Sequence, residues 1–289
     1  MEENTLHINW YPGHMARTRR EMAEKLKSVD AVAEVLDARI PGASRNSLLD
    51  ELAKGKPRLL ILNRTDLADP KETKKWSEYY RSKGFGVIES DSKSGAGVKS
   101  FLPAVRALLK EKIERLEGKG QAGRRLTVMI MGIPNVGKSS FINRVAGRKA
   151  AKTEDRPGVT RNLNLIALDT NISLLDTPGM LMPKIESDAQ GFLLAYTGAI
   201  RDDVVDIETL AANLLVTLSE RVPEAVKTRY KVARGDAENM YDLLELAAKK
   251  RGFLISGGEG DMERISRILL DEFRGGKLGR VTMEACGEN

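Results

Sequence analysis

Cysteine is nearly missing from this chain of 289 residues: Cys286 is the single example. That excludes an internal disulfide framework and a cysteine metal cluster. Long apolar runs are missing too. No stretch approaches the ~18 apolar residues of a membrane span, and no apolar signal core follows the N-terminus. Internal repeats and low-complexity tracts are likewise absent. What remains is 41% hydrophobic and 30% charged, a globular profile of a length that suits one medium domain plus a smaller partner. Cytoplasmic residence and no membrane contact are the expectation. The net charge of +6 favours polyanionic partners, nucleic acid above all, though only weakly over this length.

Six β-rich runs alternate with helical patterns over the first two thirds: 31–38, 58–63, 85–91, 126–132, 163–168 and 172–177. Most are continuously apolar, as strands covered on both faces are. The alternation predicts an α/β domain with a mostly parallel six-stranded sheet, and the closeness of the last two runs predicts one antiparallel hairpin. Helical patterns cover 16–28, 70–84 and 98–120, and a polar, glycine-rich connector follows at 116–125. Beyond about Pro183 the strand pattern stops and five helical segments follow. The predicted division is a first domain over 1–184 and an all-α domain over 185–289.

Gly132-Ile133-Pro134-Asn135-Val136-Gly137-Lys138-Ser139 has the form GxxxxGK[ST], between a strand and a helix. Such a loop turns successive N–H groups, here Val136, Gly137, Lys138, Ser139 and Ser140, toward phosphate oxygens at the positive end of a helix. Lys138 would bridge the terminal phosphates, and the Ser139 hydroxyl would ligate Mg²⁺. Downstream, Asp176-Thr177-Pro178-Gly179 ends a strand. Asp176 can reach the metal, and the Gly179 N–H is free for a γ-phosphate. Thr160, in Pro157-Gly158-Val159-Thr160, would complete the metal shell only when that phosphate is present.

A carboxylate that accepts from guanine N1–H and the 2-amino group rejects adenine, which lacks those donors. Asn63-Arg64-Thr65-Asp66 has the form NxxD and follows a strand, with Asp66 as the base reader. Asp91-Ser92-Lys93 follows another strand and resembles the SAK element that offers an N–H to guanine O6. Alone, each is also an ordinary Asn/Asp turn. Both precede the phosphate loop, whereas ordinary GTPases carry them after it. A chain joined in swapped order is physically permissible, because domain termini often lie close together.

The order NRTD, DSK, GIPNVGKS, PGVT, DTPG, preceded by Trp10-Tyr11-Pro12-Gly13-His14-Met15 and with DARIPGASRN over 37–46, resembles the circularly permuted YlqF-type GTPases. Within these it is most similar to the ribosome biogenesis GTPase A group. The resemblance implies GTP hydrolysis during assembly of the large ribosomal subunit, a C-terminal domain that contacts ribosomal RNA, and help from K⁺. It also implies a catalytic role for His14, since Met180 stands where many GTPases carry a water-orienting glutamine, and coordination of K⁺ by Asn135. Without the resemblance His14 is a polar turn residue and Asn135 a loop cap. Arg64 and Asp91 depart from the usual lysine and serine. Arginine can still stack on a base, whereas Asp91 weakens the O6 assignment.

Basic residues gather late in the chain. Lys249, Lys250 and Arg251 form one group, and Arg264 and Arg267, three apart on a helix, form another that could grip RNA phosphates. Solvated basic faces are routine, so the resemblance carries most of this reading. The expected protein is a monomeric GTPase that binds GTP and GDP and the large subunit with its RNA. Two alternatives stand: a GTP-gated RNA-binding module with incidental hydrolysis, and a GTPase of small-subunit assembly.

Overall fold

The computed structural model describes residues 12–121, 123–147, 164–177, 185 and 187–287, with side chains from residue 19 onward except at 164. They form two compact units: one built from residues 12–177 together with 284–287, the other from 185–283. The sequence placed the whole C-terminus in the second unit. Residues 284–287 group with the first because their partners lie there, Trp76 and the Gly42–Ala43 backbone among them.

In the first unit, β1 (Ala31–Asp37), β2 (Arg58–Asn63), β3 (Gly86–Glu89), β4 (Leu126–Met131), β5 (Asn164–Ala167) and β6 (Ile172–Asp176) form one sheet in the order β3-β2-β1-β4-β6-β5. Only β5 runs antiparallel, paired with β6 in the expected hairpin. Every residue of β1 and β2 is buried, which is why both read as near-continuous apolar runs. Glu34 interrupts the pattern in β1, and its charge is met by Arg58 on β2 at 2.6 Å and by the Asn46 N–H at 2.7 Å. Burial still pushes its carboxyl above the ordinary value.

Helix α1 (Pro12–Lys27) places Met22 and Leu26 against Val32, Met129 and Leu175. A short α2 (Leu48–Leu52) adds Leu49 to the same cluster. On another cluster α3 (Pro70–Ser82), capped by Asp69 accepting from the Lys71 and Glu72 N–H groups, packs Trp76 and Tyr80 on Leu36, Leu60 and Leu62. The single helix expected over 98–120 divides into a 3-10 turn, α4 (Phe101–Leu108) and α5 (Lys110–Glu117). Hydrogen bonds continue through the junction, from the Leu109 N–H to Val105 and from the Ile113 N–H to Leu109, so Leu109 marks a bend rather than an end. The connector after it is built of turns: the Gly120 N–H donates to Glu117 and the Gln121 N–H to Leu116. Helix α6 (Lys138–Ala146) completes the unit.

Because β1 leads outward to β2 and β4 leads the other way to β6, the sheet reverses direction between β1 and β4. In open α/β sheets ligands bind beyond the strand C-termini at such a point. Asp37, Asn63, Gly132 and Asp176 all lie at that edge.

The second unit contains α7 (Asp188–Tyr196), α8 (Ile207–Arg221), α9 (Pro223–Tyr230), α10 (Met240–Lys250) and α11 (Met262–Arg274). Ser187, Asp206, Asn239 and Asp261 cap the starts of α7, α8, α10 and α11, and Pro223 opens α9. Leu210, Leu214 and Leu218 of α8 are fully buried, as are Leu243, Leu244 and Ala247 of α10 and Ile265 and Leu269 of α11. Helix α8 packs on both. None of the helices among the described residues is long and apolar enough to cross a membrane.

Candidate nucleotide-binding site

The phosphate loop leaves β4 at Met131 and enters α6 at Lys138. Two of its glycines are required by close approach. A Cβ on Gly132 would lie 2.9 Å from the Val35 carbonyl oxygen, and one on Gly137 would lie 2.4 Å from Asn63 Nδ2. Gly137 and Asn135 also sit in the left-handed region, at φ +89° and +63°. Val136 is buried beneath the loop, while Ser139 and Ser140 are exposed at the first turn of α6. Lys138 lies 2.5 Å from Asp176 Oδ1 and is largely covered. The Thr177 hydroxyl donates to the Ile130 carbonyl at 2.8 Å, which fixes the end of β6 to β4. A cation for phosphates and a carboxylate for a metal are thus side by side where the motif ends.

Asn63 joins the two halves of the site. Its Nδ2 donates to the Val136 carbonyl at 2.8 Å, and its Oδ1 accepts from the Ser92 hydroxyl (2.7 Å), the Ser92 N–H (3.2 Å) and the Ser90 hydroxyl (3.1 Å). Asn63, the first residue of the NxxD turn, therefore ties the phosphate loop to the 90–92 loop, although 73 positions separate it from Val136. Arg64 follows at φ +61°, and Asp66 is exposed. Arg64 Nε stands 3.8 Å from Asp37 Oδ2. Burial depresses the Arg64 guanidinium from its ordinary value, and Asp37 opposes that shift.

The 91–96 loop differs from the expectation that it offers an N–H outward. Asp91 Oδ1 accepts from the Lys93 N–H at 2.8 Å and Oδ2 from the Ser94 N–H at 3.2 Å. With the Ser92 N–H on Asn63, each of these three amides is directed at a protein acceptor. The aspartate that breaks the SAK pattern is thus the residue that folds the loop, as an Asx turn. Burial raises its carboxyl, but the Ser94 and Lys93 hydrogen bonds outweigh that and hold it below the ordinary range.

Sequence reasoning assigned no role to two parts of this edge. Arg144, on α6, donates from Nε to the Ser92 carbonyl at 3.0 Å and from its other nitrogen to the Lys93 carbonyl, so the helix that carries the phosphate loop also holds the base-side loop. Nothing local signals it. Asp37 and Arg39, within DARIPGASRN, form a fully buried pair with Nε–Oδ1 at 3.0 Å and Nη2–Oδ2 at 2.7 Å. Burial works to raise the Asp37 carboxyl, yet Arg39 and then Arg64 hold it below its ordinary value. A charged pair directly after an apolar strand is the signal that could have marked it.

Thr160 and Gly179 lie outside the described residues. His14 falls in the first turn of α1, and its side chain is outside them too. Among the described residues no cluster of three or more His, Cys, Asp or Glu could cage a metal. Magnesium at nucleotides is ordinarily held by one or two protein oxygens with phosphates and water, and Ser139 and Asp176 supply oxygens of that kind.

The five basic candidates of the helical unit differ in kind. Arg251 is committed to the fold: its Nη1 donates to the Arg229 carbonyl at 3.2 Å and lies 3.8 Å from the buried Glu272, and its guanidinium stacks 5.3 Å from the Tyr230 ring centre. Lys249 pairs with Glu245 at 2.6 Å and Arg267 with Glu263 at 2.9 Å, both along a helix surface. Arg264 lies over Phe253 at 4.6 Å. Lys250 is exposed.

A parallel sheet with one antiparallel edge, a phosphate loop on its fourth strand and an NxxD turn on its second define a circularly permuted phosphate-loop GTPase. The family described as 50S ribosome-binding GTPase matches residues 127–242, a match that begins after the NxxD turn. Ribosome biogenesis GTPase A of Bacillus cereus is 43% identical over 281 residues, which cover 97% of this chain and 95% of that one. Mitochondrial ribosome-associated GTPase 1 of Mus musculus is 36% identical over 95% of this chain and 89% of its own. The GNP-bound YlqF crystal structure from T. maritima superposes with a TM-score of 0.65 at 28% identity, covering 93% of this chain and 98% of that one. The chain belongs to the ribosome biogenesis GTPase A family. It is a GTPase with a GTP-dependent role in ribosome biogenesis.

Proposed function

We propose that this GTPase serves late assembly of the large ribosomal subunit, engaging ribosomal RNA through its helical unit while GTP is bound. The observation that carries the nucleotide half is Asn63, which bridges the phosphate loop and the base-side loop across the permuted order. The target follows the family that matches residues 127–242, described as 50S ribosome-binding GTPase.

In this reading the N–H groups of Val136 to Ser140 and the Lys138 ammonium hold the β- and γ-phosphates. Ser139 and Asp176 hold Mg²⁺, joined by Thr160, and the Gly179 N–H meets the γ-phosphate. The ion supplies charge neutralisation between the phosphates. Lys138 exchanges Asp176 for phosphate oxygens when nucleotide enters, which leaves the carboxylate for the metal. Asp66 accepts from the guanine edge while Arg64 lies over the ring. Asn135 contributes an oxygen to K⁺, and His14 orients the attacking water. On the RNA side Lys249, Lys250, Arg264 and Arg267 provide phosphate contacts. Exposed ion pairs such as Lys249–Glu245 are weak and exchange readily for a phosphate, whereas the buried partners of Arg251 keep it within the fold. The protein acts as a cytoplasmic monomer.

Co-sedimentation with purified large and small ribosomal subunits tests this, comparing a non-hydrolysable GTP analogue with GDP. Retention on the large subunit with the analogue alone is expected. Equal retention with both nucleotides, or retention on the small subunit, overturns the proposal.

A further inference from the structure

The segment 37–46 has no part in the nucleotide chemistry assigned above, yet hydrogen bonds hold it from several sides. It starts where β1 ends, and its fold is anchored on Asp37: the Asp37 N–H donates to Ser44 Oγ at 3.1 Å and the Ile40 N–H to the Asp37 carbonyl at 2.9 Å. Its outer turn is held from the far end of the chain. Glu284 Oε2 accepts from the Gly42 N–H and Oε1 from the Ala43 N–H, both at 2.8 Å, across more than two hundred residues of sequence. The Trp76 indole donates to the Glu284 carbonyl at 3.3 Å, and the Tyr80 hydroxyl donates to the Pro41 carbonyl at 3.0 Å. Two residues on, Cys286 packs against the cluster of Leu36, Leu60 and Trp76. Glu284 is only 8% exposed, so its carboxylate serves a protected pair of backbone donors. Charge-assisted bonds of this type are roughly twice as strong as neutral ones.

We propose that residues 284–287 are a clasp on the guanine pocket, with Glu284 a positioning residue for Arg64. The route is short: Glu284 fixes Gly42 and Ala43, the loop presents Ser44 to Asp37, and Asp37 faces Arg64 at 3.8 Å. Arg64 adopts a left-handed backbone that a non-glycine residue keeps only when its surroundings dictate it. Asp37 is part of those surroundings. The inference rests on the reading of Asn63–Asp66 as the base motif. It adds a covalent consequence, because Met283 is the last residue of the helical unit and Glu284 the next. A ribosomal particle that engages the helical unit therefore has a one-bond connection to a residue that shapes nucleotide affinity.

The test uses the full chain with Glu284→Ala or Glu284→Gln, and a chain stopped after Met283. Each is titrated with GDP and with inorganic pyrophosphate, and backbone hydrogen exchange is followed in the 40–46 segment. Glu284→Ala and the truncation should weaken GDP about tenfold, equivalent to ~1.4 kcal/mol, and leave pyrophosphate affinity as in the parent. Exchange at Gly42 and Ala43 should rise. Glu284→Gln, which keeps one acceptor oxygen, should fall between. Faster exchange with unaltered GDP affinity overturns the link to the pocket, and unaltered exchange overturns the clasp itself. Equal losses for GDP and pyrophosphate indicate general loosening and also overturn it. Failure of the base reading shows separately, as unaltered GTP affinity in Asp66→Asn, while the exchange result does not depend on that reading.

Discussion

The two units of this protein hold their charged clusters in different settings. In the GTPase unit, charged side chains collect at one edge of the sheet: Lys138 with Asp176, and Asp37 with Arg39 and Arg64. In the helical unit, one charged cluster is turned inward. Glu272, 5% exposed, accepts from Arg229 Nε at 2.8 Å and from the Tyr230 hydroxyl at 2.6 Å, with Arg251 close by. The first arrangement lies where strand ends converge, with its Asp37–Arg39 pair itself fully buried. The other joins three parts of a helical core and stabilises the unit itself. A basic residue in the first unit is therefore read by its position on the sheet, and one in the second by what already holds it.

Removing the phosphate-loop cation should produce the largest effect. Lys138→Ala loses the ammonium that meets the phosphates, and calorimetry should show nucleotide affinity falling about a hundredfold or more, ~2.7 kcal/mol. Parental affinity would dismiss the phosphate-loop assignment.

The inward cluster of the helical unit should respond to acid. Hydrogen bonds from Arg229 hold the Glu272 carboxyl at about 2, below its ordinary 4.5, against the upward push of burial. Because the folded value is the lower one, the stabilisation is complete above about pH 5 and fades as pH falls through 4 toward 2. Helical circular dichroism across this range should show the loss in the parent and a flatter response in Glu272→Gln. That variant should also be less stable, by about 3 kcal/mol, the lower end for breaking a buried pair because Arg229 is 39% exposed. Identical acid profiles in parent and variant would contradict a stabilising role for the Glu272 carboxylate.

The smallest effect separates two adjacent residues. Lys250→Ala should leave the melting temperature unchanged and reduce the salt dependence of RNA binding by about one phosphate contact. Arg251→Ala should lower the melting temperature and leave that slope alone. The reverse pattern would exchange their roles.

Much of the fold was legible because its signals are local. Continuous apolar runs marked the buried strands, nearness marked the β5–β6 hairpin, and the end of the strand pattern near Pro183 marked the helical unit. The phosphate loop is also local, since one short stretch holds the glycines, the cation and the helix start. What stayed hidden depends on pairings across the chain. Asn63 on Val136, Arg144 on the 92–93 carbonyls and Glu284 on Gly42 join positions from 51 to 242 residues apart. No periodicity reports such contacts. Asp91 was visible as an exception to a motif, but its work as the turn-former could be seen only in the folded loop. Arg251 looked like its neighbour Lys250 because sequence shows charge and not the carboxylate that meets it.

The central claim is that an NxxD turn placed before the phosphate loop reads the base, and Asp66→Asn tests it most directly. Binding of GDP and XDP to parent and variant should be measured side by side by calorimetry. The asparagine brings a donor to the base edge, so the variant should lose guanine nucleotide and gain xanthine nucleotide. Undiminished GDP binding with no gain for XDP would mean that Asp66 does not face the base, and the permuted reading of this site would be wrong.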